Sequence, residues 1–134
     1  MKMLIVEDDF TTRKILLKFL QPYGDCDVAV DGQEALAAYK EALGSGEPYH
    51  LICLDIMMPE LDGHGVLKSI RDIESANGVA PTHGVKIVMT TALGDSSNVL
   101  GAFKGGCEGY VVKPIDKQRL LSELRKLNLI SDEG

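Results

Sequence analysis

Short apolar runs of strand length occur five times along the chain. Each run is three to five residues long, and most are rich in valine, isoleucine or leucine, the composition typical of β-strands. The runs are Met3–Val6, Cys26–Val30, Leu51–Leu54, Val85–Met89 and Tyr110–Val112. This pattern predicts five short strands.

Helical periodicity marks the segments between and after these runs. Their apolar stripes are Ile15, Leu16, Phe19 and Leu20; Ala35, Leu36, Tyr39 and Leu43; Val66, Leu67, Ile70 and Ile73; Val99, Leu100 and Phe103; and Leu120, Leu121, Leu124 and Leu127. Asp31 and Asp116 precede the second and fifth stripes, where an aspartate caps the first turn. Gly44 and the pair Gly105–Gly106 follow the second and fourth stripes, where glycine ends helices. We therefore predict five helices.

The order of elements is a strand followed by a helix, five times over. Such alternation predicts an α/β fold, a doubly wound five-stranded parallel sheet with helices on both faces. The first, third and fourth runs are continuously apolar, as expected for central strands that are covered on both sides. No proline-rich linker divides the chain, so we predict one domain over residues 1–127 and a short tail over residues 128–134.

Composition excludes several classes of protein. The chain has 134 residues, of which 45% are hydrophobic and 25% charged, so it is neither disordered nor fibrous. The formal charge is 14 − 20 = −6. An acidic domain has no general electrostatic attraction to phosphate backbones or anionic lipids, so we expect neither a nucleic-acid nor a membrane partner.

The three cysteines, Cys26, Cys53 and Cys107, show no CxxC spacing and predict reduced thiols. The apolar run Met3–Val6 is too short for a secretory signal, which needs about 7–15 apolar residues. No run approaches the ~18 apolar residues of a membrane span. We therefore expect a cytoplasmic protein.

Polar residues gather where the predicted strands end. In open parallel sheets, ligands bind beyond the carboxyl ends of the strands, which meet at one edge. The residues at that edge are Glu7, Asp8 and Asp9 after the first strand, Asp55 at the third, Thr90 and Thr91 at the fourth, and Lys113 and Pro114 at the fifth. The sequence thus predicts a site made of acids, a hydroxyl and a lysine.

Electrostatics indicates what such a site would hold. Two carboxylates about 4 Å apart repel by roughly 4 kcal/mol at an effective dielectric constant of 20. A bound cation would offset this repulsion between Asp8 and Asp55, which have Glu7 nearby. Mg²⁺ prefers oxygen ligands of this kind. Mg²⁺ and Lys113 would together neutralise a phosphoryl group, a threonine hydroxyl could donate to it, and an aspartate could accept it as an acyl phosphate.

Four motifs at these positions resemble one known family. They are LIVEDD at residues 4–9, LDIMMPELDG at residues 54–63, MTTA at residues 89–92 and GYVVKP at residues 109–114. In order and spacing they resemble the receiver domains of two-component response regulators, in particular the small stand-alone CheY-like type. The resemblance extends from about Lys2 to Leu127 and implies a flavodoxin-like (βα)5 fold with strand order 2-1-3-4-5.

The resemblance also implies roles for individual residues. Asp55 corresponds to the phosphoacceptor, and Lys113 to the lysine that pairs with the phosphoryl group. The Mg²⁺ ligands would be Asp8, Asp55, the backbone carbonyl of Met57 and, through water, Glu7. From sequence alone we would expect the Lys113–Pro114 peptide bond to be trans, whereas the resemblance implies cis.

A switch is implied by two further residues. Thr91 corresponds to the hydroxyl that is drawn toward the phosphorylated aspartate, and Tyr110 to the aromatic residue that follows it inward. The face made by the fourth helix, fifth strand and fifth helix would then change shape. In this scheme a sensor histidine kinase or phosphotransfer protein supplies the phosphoryl group. A downstream protein, or a second copy of the chain, binds the altered face.

Other functions remain open from the residues themselves. A phosphatase of the haloacid-dehalogenase type also uses aspartate, Mg²⁺ and lysine, but it needs a second acid where this chain has Met57. A receiver-like binding module that is never phosphorylated usually lacks a site residue, and here none is missing. Flavin binding on the same fold favours a hydroxyl-rich loop after the first strand, where this chain has acids.

Two apolar positions flank the expected phosphorylation site. Met57 lies two residues after Asp55, and Leu93 lies two residues after Thr91. Both would stand beside the route by which water reaches an acyl phosphate. We therefore predict slower self-dephosphorylation than polar residues would give at these positions.

Overall fold

The computed structural model describes residues 1–58, 61–92 and 96–131. Five strands alternate with five helices along these residues, as the sequence predicts. In chain order the elements are β1 (Lys2–Val6), α1 (Phe10–Leu20), β2 (Asp25–Ala29), α2 (Gly32–Gly44), β3 (Leu51–Asp55), α3 (Gly63–Ala76), β4 (Lys86–Thr91), α4 (Ser96–Gly105), β5 (Gly109–Val112) and α5 (Lys117–Lys126). Short 3₁₀ turns at Gln21–Tyr23 and Pro81–His83 precede β2 and β4.

The strands form one parallel sheet in the order β2-β1-β3-β4-β5, which confirms the expected topology. β3 is central, and all five of its residues are buried. The registers that matter below are Asp55 beside Thr90 on β4, and Thr90 beside Val111 on β5. Because side chains alternate between the two faces of a strand, these pairings fix which residues share a face.

The sheet separates two apolar cores. On one face, α1 and α5 cover a core that includes Ile5, Cys53, Val88 and Val111. On the other face, α2, α3 and α4 cover the side chains that alternate with these. Central strands buried on both faces explain why three of the apolar runs are continuous in the sequence.

Among the described residues, aspartates cap four helices. The carboxylates of Asp9, Asp31, Asp62 and Asp116 accept hydrogen bonds from backbone N–H groups of the first turns, at 2.9, 2.8, 3.1 and 3.0 Å. The caps predicted at Asp31 and Asp116 are confirmed. Each such cap contributes about 1 kcal/mol and directs the chain from the strand end into the following helix.

Arg71 of α3 joins three parts of the chain at the end of the molecule opposite the strand ends. Its guanidinium contacts Glu74 at 2.7 Å, Glu108 before β5, and the carbonyl of Gly106 at 2.8 Å after α4. It also donates to the carbonyl of Val85 at 2.9 Å. All the hydrogen-bonding directions of the guanidinium are thereby used, so Arg71 holds the C-terminal end of α4 against α3.

Glu74 is buried and receives two further hydrogen bonds. The hydroxyl of Tyr39 on α2 donates to it at 3.2 Å, and the N–H of Val85 donates at 2.7 Å. Burial and the neighbouring Glu74 carboxylate raise the pKa of Tyr39 well above its usual range. The Glu74 carboxylate thus links α2, α3 and the start of β4.

The remaining expectations concern the thiols and the chain's end. Cys26, Cys53 and Cys107 are free thiols, as expected. Leu129 and Ile130, in the segment expected to be a tail, pack against the core beneath α1 and α5. Among the described residues, no helix has the length and apolar character needed to cross a membrane.

Candidate functional site

Three carboxylates meet at the carboxyl edge of the sheet. Glu7 and Asp8 follow β1, and Asp55 ends β3; one oxygen from each lies within 4.8 Å of the others. Glu7 and Asp55 are buried, whereas Asp8 is exposed. The structure therefore brings together the three acids that the sequence placed at this edge.

Glu7 is fixed by the backbone around it. Its N–H donates to the carbonyl of Ala29 at 3.0 Å, and its Oε2 accepts from the N–H of Asp9 at 3.1 Å. The guanidinium of Arg13 donates to the Glu7 carbonyl at 3.0 Å. The N–H of Asp9 gives the buried carboxylate a hydrogen-bond partner, and burying a carboxylate without such partners costs free energy.

Lys113 reaches into this acidic cluster from the end of β5. Its Nζ lies 2.9 Å from Glu7 Oε1 and 3.2 Å from Asp55 Oδ1. The contact with Glu7 has the length of an ion pair but not the direction of a hydrogen bond. The Lys113 N–H donates to the carbonyl of Thr91 at 2.7 Å, and the Lys113–Pro114 peptide bond is cis. The expectation of a trans bond from sequence alone was wrong, and the one from resemblance was right.

The charges in the cluster are mutually dependent. Burial raises the pKa of Glu7 to about 7, and the Asp55 carboxyl adds to this, while the Lys113 ammonium opposes it. Burial also disfavours the charge on Lys113, but Glu7 and Asp55 outweigh it and raise the pKa of Lys113. The Asp55 Oδ1 additionally accepts from the N–H of Met57 at 3.2 Å.

The donor set fits a hard divalent cation. Three carboxylates and one ammonium carry a formal charge of −3 + 1 = −2 when all are ionised. The raised pKa of Glu7 reflects the cost of that charge in a buried place. A cation of charge +2 would balance it, and oxygen ligands are those that Mg²⁺ prefers. Met57 lies at the rim, with its side chain 61% exposed, and its carbonyl as a ligand stays a prediction.

The two expected switch residues lie on neighbouring strands. Thr91 ends β4 and is buried, and among the described residues its hydroxyl makes one long contact, 3.5 Å, to the carbonyl of Ala92. Tyr110 on β5 pairs in register with Met89, on the same sheet face as Thr91, and its side chain is 40% exposed. Leu93, expected beside the water route, lies outside the described residues.

Two features of the structure were not predicted from the sequence. Thr90 was expected only among the polar residues at the strand ends, whereas strand alternation places it on the face of Asp55. Arg71 lies at the opposite end of the sheet, and two of its partners, Gly106 and Glu108, are 35 and 37 positions away in the sequence. Only the tertiary structure brings such partners together.

Comparison with known proteins assigns the chain to a family. A model of the response regulator receiver domain matches residues 3–125. The chain is a response regulator receiver domain. The alternatives of a dehalogenase-type phosphatase and a flavin-binding protein are not supported by this match.

Relatives of the receiver include proteins much longer than this chain. It is 35% identical over 127 residues to the "probable transcriptional regulator ycf27" of Cyanophora paradoxa, covering 94% of the receiver and 47% of that protein. It is 34% identical over 121 residues to the osmosensing histidine protein kinase SLN1 of Saccharomyces cerevisiae, covering 89% of the receiver and 9% of the kinase. The chain thus spans about half, or much less, of these curated relatives.

A solved structure matches nearly the whole receiver. It is the receiver domain of the response regulator Ssk1 of Saccharomyces cerevisiae, crystallised with the histidine phosphotransfer signalling protein Ypd1. The TM-score is 0.81 at 30% identity, covering 98% of this receiver and 93% of that chain. Fold and family therefore agree.

Proposed function

We propose that the receiver takes a phosphoryl group from a phosphohistidine of a histidine kinase or phosphotransfer protein onto Asp55. A carboxylate oxygen of Asp55 forms the new P–O bond as the P–N bond of the phosphohistidine breaks, and the imidazole leaves with the electron pair. The product is an acyl phosphate, which water later hydrolyses to free phosphate and Asp55.

One observation carries this proposal. The Lys113 ammonium lies between two buried carboxylates, 2.9 Å from Glu7 and 3.2 Å from Asp55. An ammonium in that position is preorganised to stabilise charge on a phosphoryl group attached to Asp55, as electrostatic catalysis of phosphoryl transfer requires. Asp55 is held for attack because Met57 donates to its Oδ1.

Mg²⁺ is the cofactor that we propose for this site. Asp8, Asp55 and the Met57 carbonyl would hold it directly, and Glu7 through water. When bound, it supplies positive charge that neutralises the phosphoryl oxygens. The exposed position of Asp8, beside two buried acids, supports a site that opens to solvent and to an incoming phosphodonor.

The proposed output is a change in the face made by α4, β5 and α5. Phosphorylation adds a charge of about −1.5 to −2. The Thr91 hydroxyl then donates to the phosphoryl group, and Tyr110 moves into the space that Thr91 leaves. The long contact of the Thr91 hydroxyl and the exposure of Tyr110 support a pair that is free to rearrange.

The partners that we propose follow from the chemistry of the site and from the similarity to the Ssk1 receiver. A phosphohistidine donor fits because the Ssk1 receiver, which is 30% identical, was crystallised with a histidine phosphotransfer protein. A downstream protein target, or a second phosphorylated copy of the receiver, would bind the α4–β5–α5 face. A cytoplasmic location agrees with such partners.

The test is intact mass after incubation with acetyl phosphate, with and without Mg²⁺. We expect a Mg²⁺-dependent gain of one phosphoryl group in the wild type and none in Asp55→Asn. Asp72→Asn is the matched control, because Asp72 is an exposed aspartate on α3 whose carboxylate, among the described residues, pairs with Lys68. No gain in folded wild type would contradict the proposal and favour a binding module that is not phosphorylated.

A further inference from the structure

Thr90 carries a buried hydroxyl in an unusual position. The residue is 1% exposed, and its Oγ1 has no hydrogen-bond partner among the described residues. Leaving a buried hydroxyl unpaired is unfavourable, and a valine of nearly the same shape would avoid it. A hydrogen-bond partner would therefore stabilise this hydroxyl, and the described residues do not provide one in the present arrangement.

The register of the sheet locates this hydroxyl. Thr90 pairs with Asp55 on one side and Val111 on the other. Val88, two residues earlier on β4, belongs to the core under α1 and α5, and so does Cys53, two residues before Asp55. By strand alternation, Thr90 and Asp55 point to that same face, side by side.

The Lys113 side chain crosses β4 to make its contacts. It follows β5, at one edge of the sheet, whereas its partners Asp55 and Glu7 lie at the ends of β3 and β1. β4 lies between β5 and β3, and Thr90 is the β4 residue in register with Asp55. Lys113 lies two residues beyond Val111, the β5 residue in register with Thr90, so its side chain runs back across β4 to the carboxylate beside Thr90.

The ammonium has a hydrogen atom to spare for this hydroxyl. An ammonium carries three N–H donors, and that of Lys113 makes ion-pair contacts with only two carboxylates among the described residues, Glu7 at 2.9 Å and Asp55 at 3.2 Å. When a phosphoryl group is attached to Asp55, Lys113 has to move from the carboxylate toward the phosphoryl oxygens. A neutral hydrogen-bond acceptor beside the moving ammonium would hold it in place, and it would not attract the positive charge away from the phosphoryl group as a carboxylate would.

We propose that Thr90 is a positioning residue for phosphoryl transfer, whose hydroxyl oxygen accepts an N–H from Lys113 when that ammonium engages the phosphoryl group. This inference rests on the proposed function, since it deepens the role of the same site. Thr90 contacts neither the phosphoryl group nor the metal, and it acts through Lys113 alone. It is distinct from Thr91, which lies on the other face of the sheet.

The experiment compares Thr90→Val, which removes the hydroxyl at nearly constant shape, with Thr90→Ser, which keeps it. We measure the rate of phosphorylation by acetyl phosphate, the affinity for beryllofluoride with Mg²⁺ by calorimetry, and the thermal midpoint. Thr90→Val should react about threefold to tenfold more slowly, as expected for one lost hydrogen bond. It should bind beryllofluoride more weakly by a similar factor while its thermal midpoint stays equal or rises. Thr90→Ser should restore both the rate and the affinity.

Three results would overturn the inference. The first is a Thr90→Val variant that equals wild type in both rate and affinity. The second is a Thr90→Ser variant as slow as Thr90→Val, which would assign the effect to packing. If Thr90→Val does not fold, Thr90→Ala serves as the hydroxyl-free variant in both comparisons. Wild type that gains no phosphoryl group would overturn the proposed function as well, so the two failures are distinguishable.

Discussion

Tyr110 packs edge-on against Phe103, with ring centroids 5.9 Å apart and an interplanar angle of 88°. Edge-to-face contact is a favoured aromatic geometry, worth about 0.5–1.5 kcal/mol beyond the buried area. It joins β5 to α4 across the face that we propose as the output surface. Because both rings remain partly exposed, the pair can be separated without opening the core.

This contact gives a direct test of the switch. The chain has no tryptophan, so Tyr110→Trp introduces a single tryptophan whose emission can be followed. We expect its emission to shift to shorter wavelength on addition of acetyl phosphate and Mg²⁺, because the ring moves from a half-exposed to a buried position. The same substitution in an Asp55→Asn background should show no shift. An equal shift at Tyr23→Trp, outside the output face, would contradict a movement local to Tyr110.

The pKa of Glu7 predicts how stability depends on pH in the metal-free protein. It is raised from 4.5 to about 7, chiefly by burial, so the folded state favours the protonated carboxyl. The stabilisation is complete below about pH 4.5 and is lost as the pH rises through about 7, with a loss of at most about 3 kcal/mol. Urea denaturation between pH 5 and 8 should therefore show a falling midpoint.

Glu7→Gln supplies the control for that titration. The variant has no carboxyl to ionise, so its midpoint should vary less with pH over the same interval. Glu41→Gln, on α2 and away from the cluster, should keep the wild-type dependence. A wild-type midpoint that rises from pH 5 to 8 would mean that Glu7 is ionised throughout.

Arg71 should be important for stability. Arg71→Met keeps much of the side-chain volume but leaves Glu74 buried without its cation, which typically costs about 3–5 kcal/mol. Lys68→Met, one turn earlier on α3, breaks only an exposed pair with Asp72 and should change stability by less than about 1 kcal/mol. Equal effects of the two substitutions in urea denaturation would show that the Arg71 contacts add nothing.

The apolar residues near the site should govern the lifetime of the acyl phosphate. We expect the double variant Met57→Asn, Leu93→Glu to lose its phosphoryl group severalfold faster, because polar side chains can orient an attacking water. The measurement follows intact mass with time after removal of acetyl phosphate. Leu100→Asn, an exposed leucine on α4, is the control and should leave the lifetime unchanged. Equal acyl-phosphate lifetimes in the wild type, the double variant and Leu100→Asn would contradict this prediction.

Much of the fold was predictable because its determinants are local. Apolar runs, helical stripes and the capping aspartates Asp31 and Asp116 each act within a few residues, and the structure confirms them. The strand-end acids were predictable as a group, since carboxyl ends of parallel strands meet at one edge. The strand order and the cis bond before Pro114 came from family resemblance.

The features that escaped prediction depend on distant residues. Nothing near Arg71 indicates that its guanidinium reaches Gly106 and Glu108. The unpaired hydroxyl of Thr90 follows from the register between β3 and β4, which a strand's own sequence does not specify. The exposure of Tyr110 reflects its place on an edge strand with few neighbours.

The central place of β3 has a consequence for how the molecule resists fluctuation. Residues 51–54 are buried and paired on both sides, and Asp55 is buried and paired with β4, so the amides of residues 51–54 should exchange with solvent only through global unfolding. β5 is a four-residue edge strand that is paired on one side, so it should open locally at lower free energy. We therefore expect Asp55 to stand on a more slowly exchanging strand than Tyr110, so that the acceptor carboxylate and the exposed aromatic ring lie on strands of different local stability.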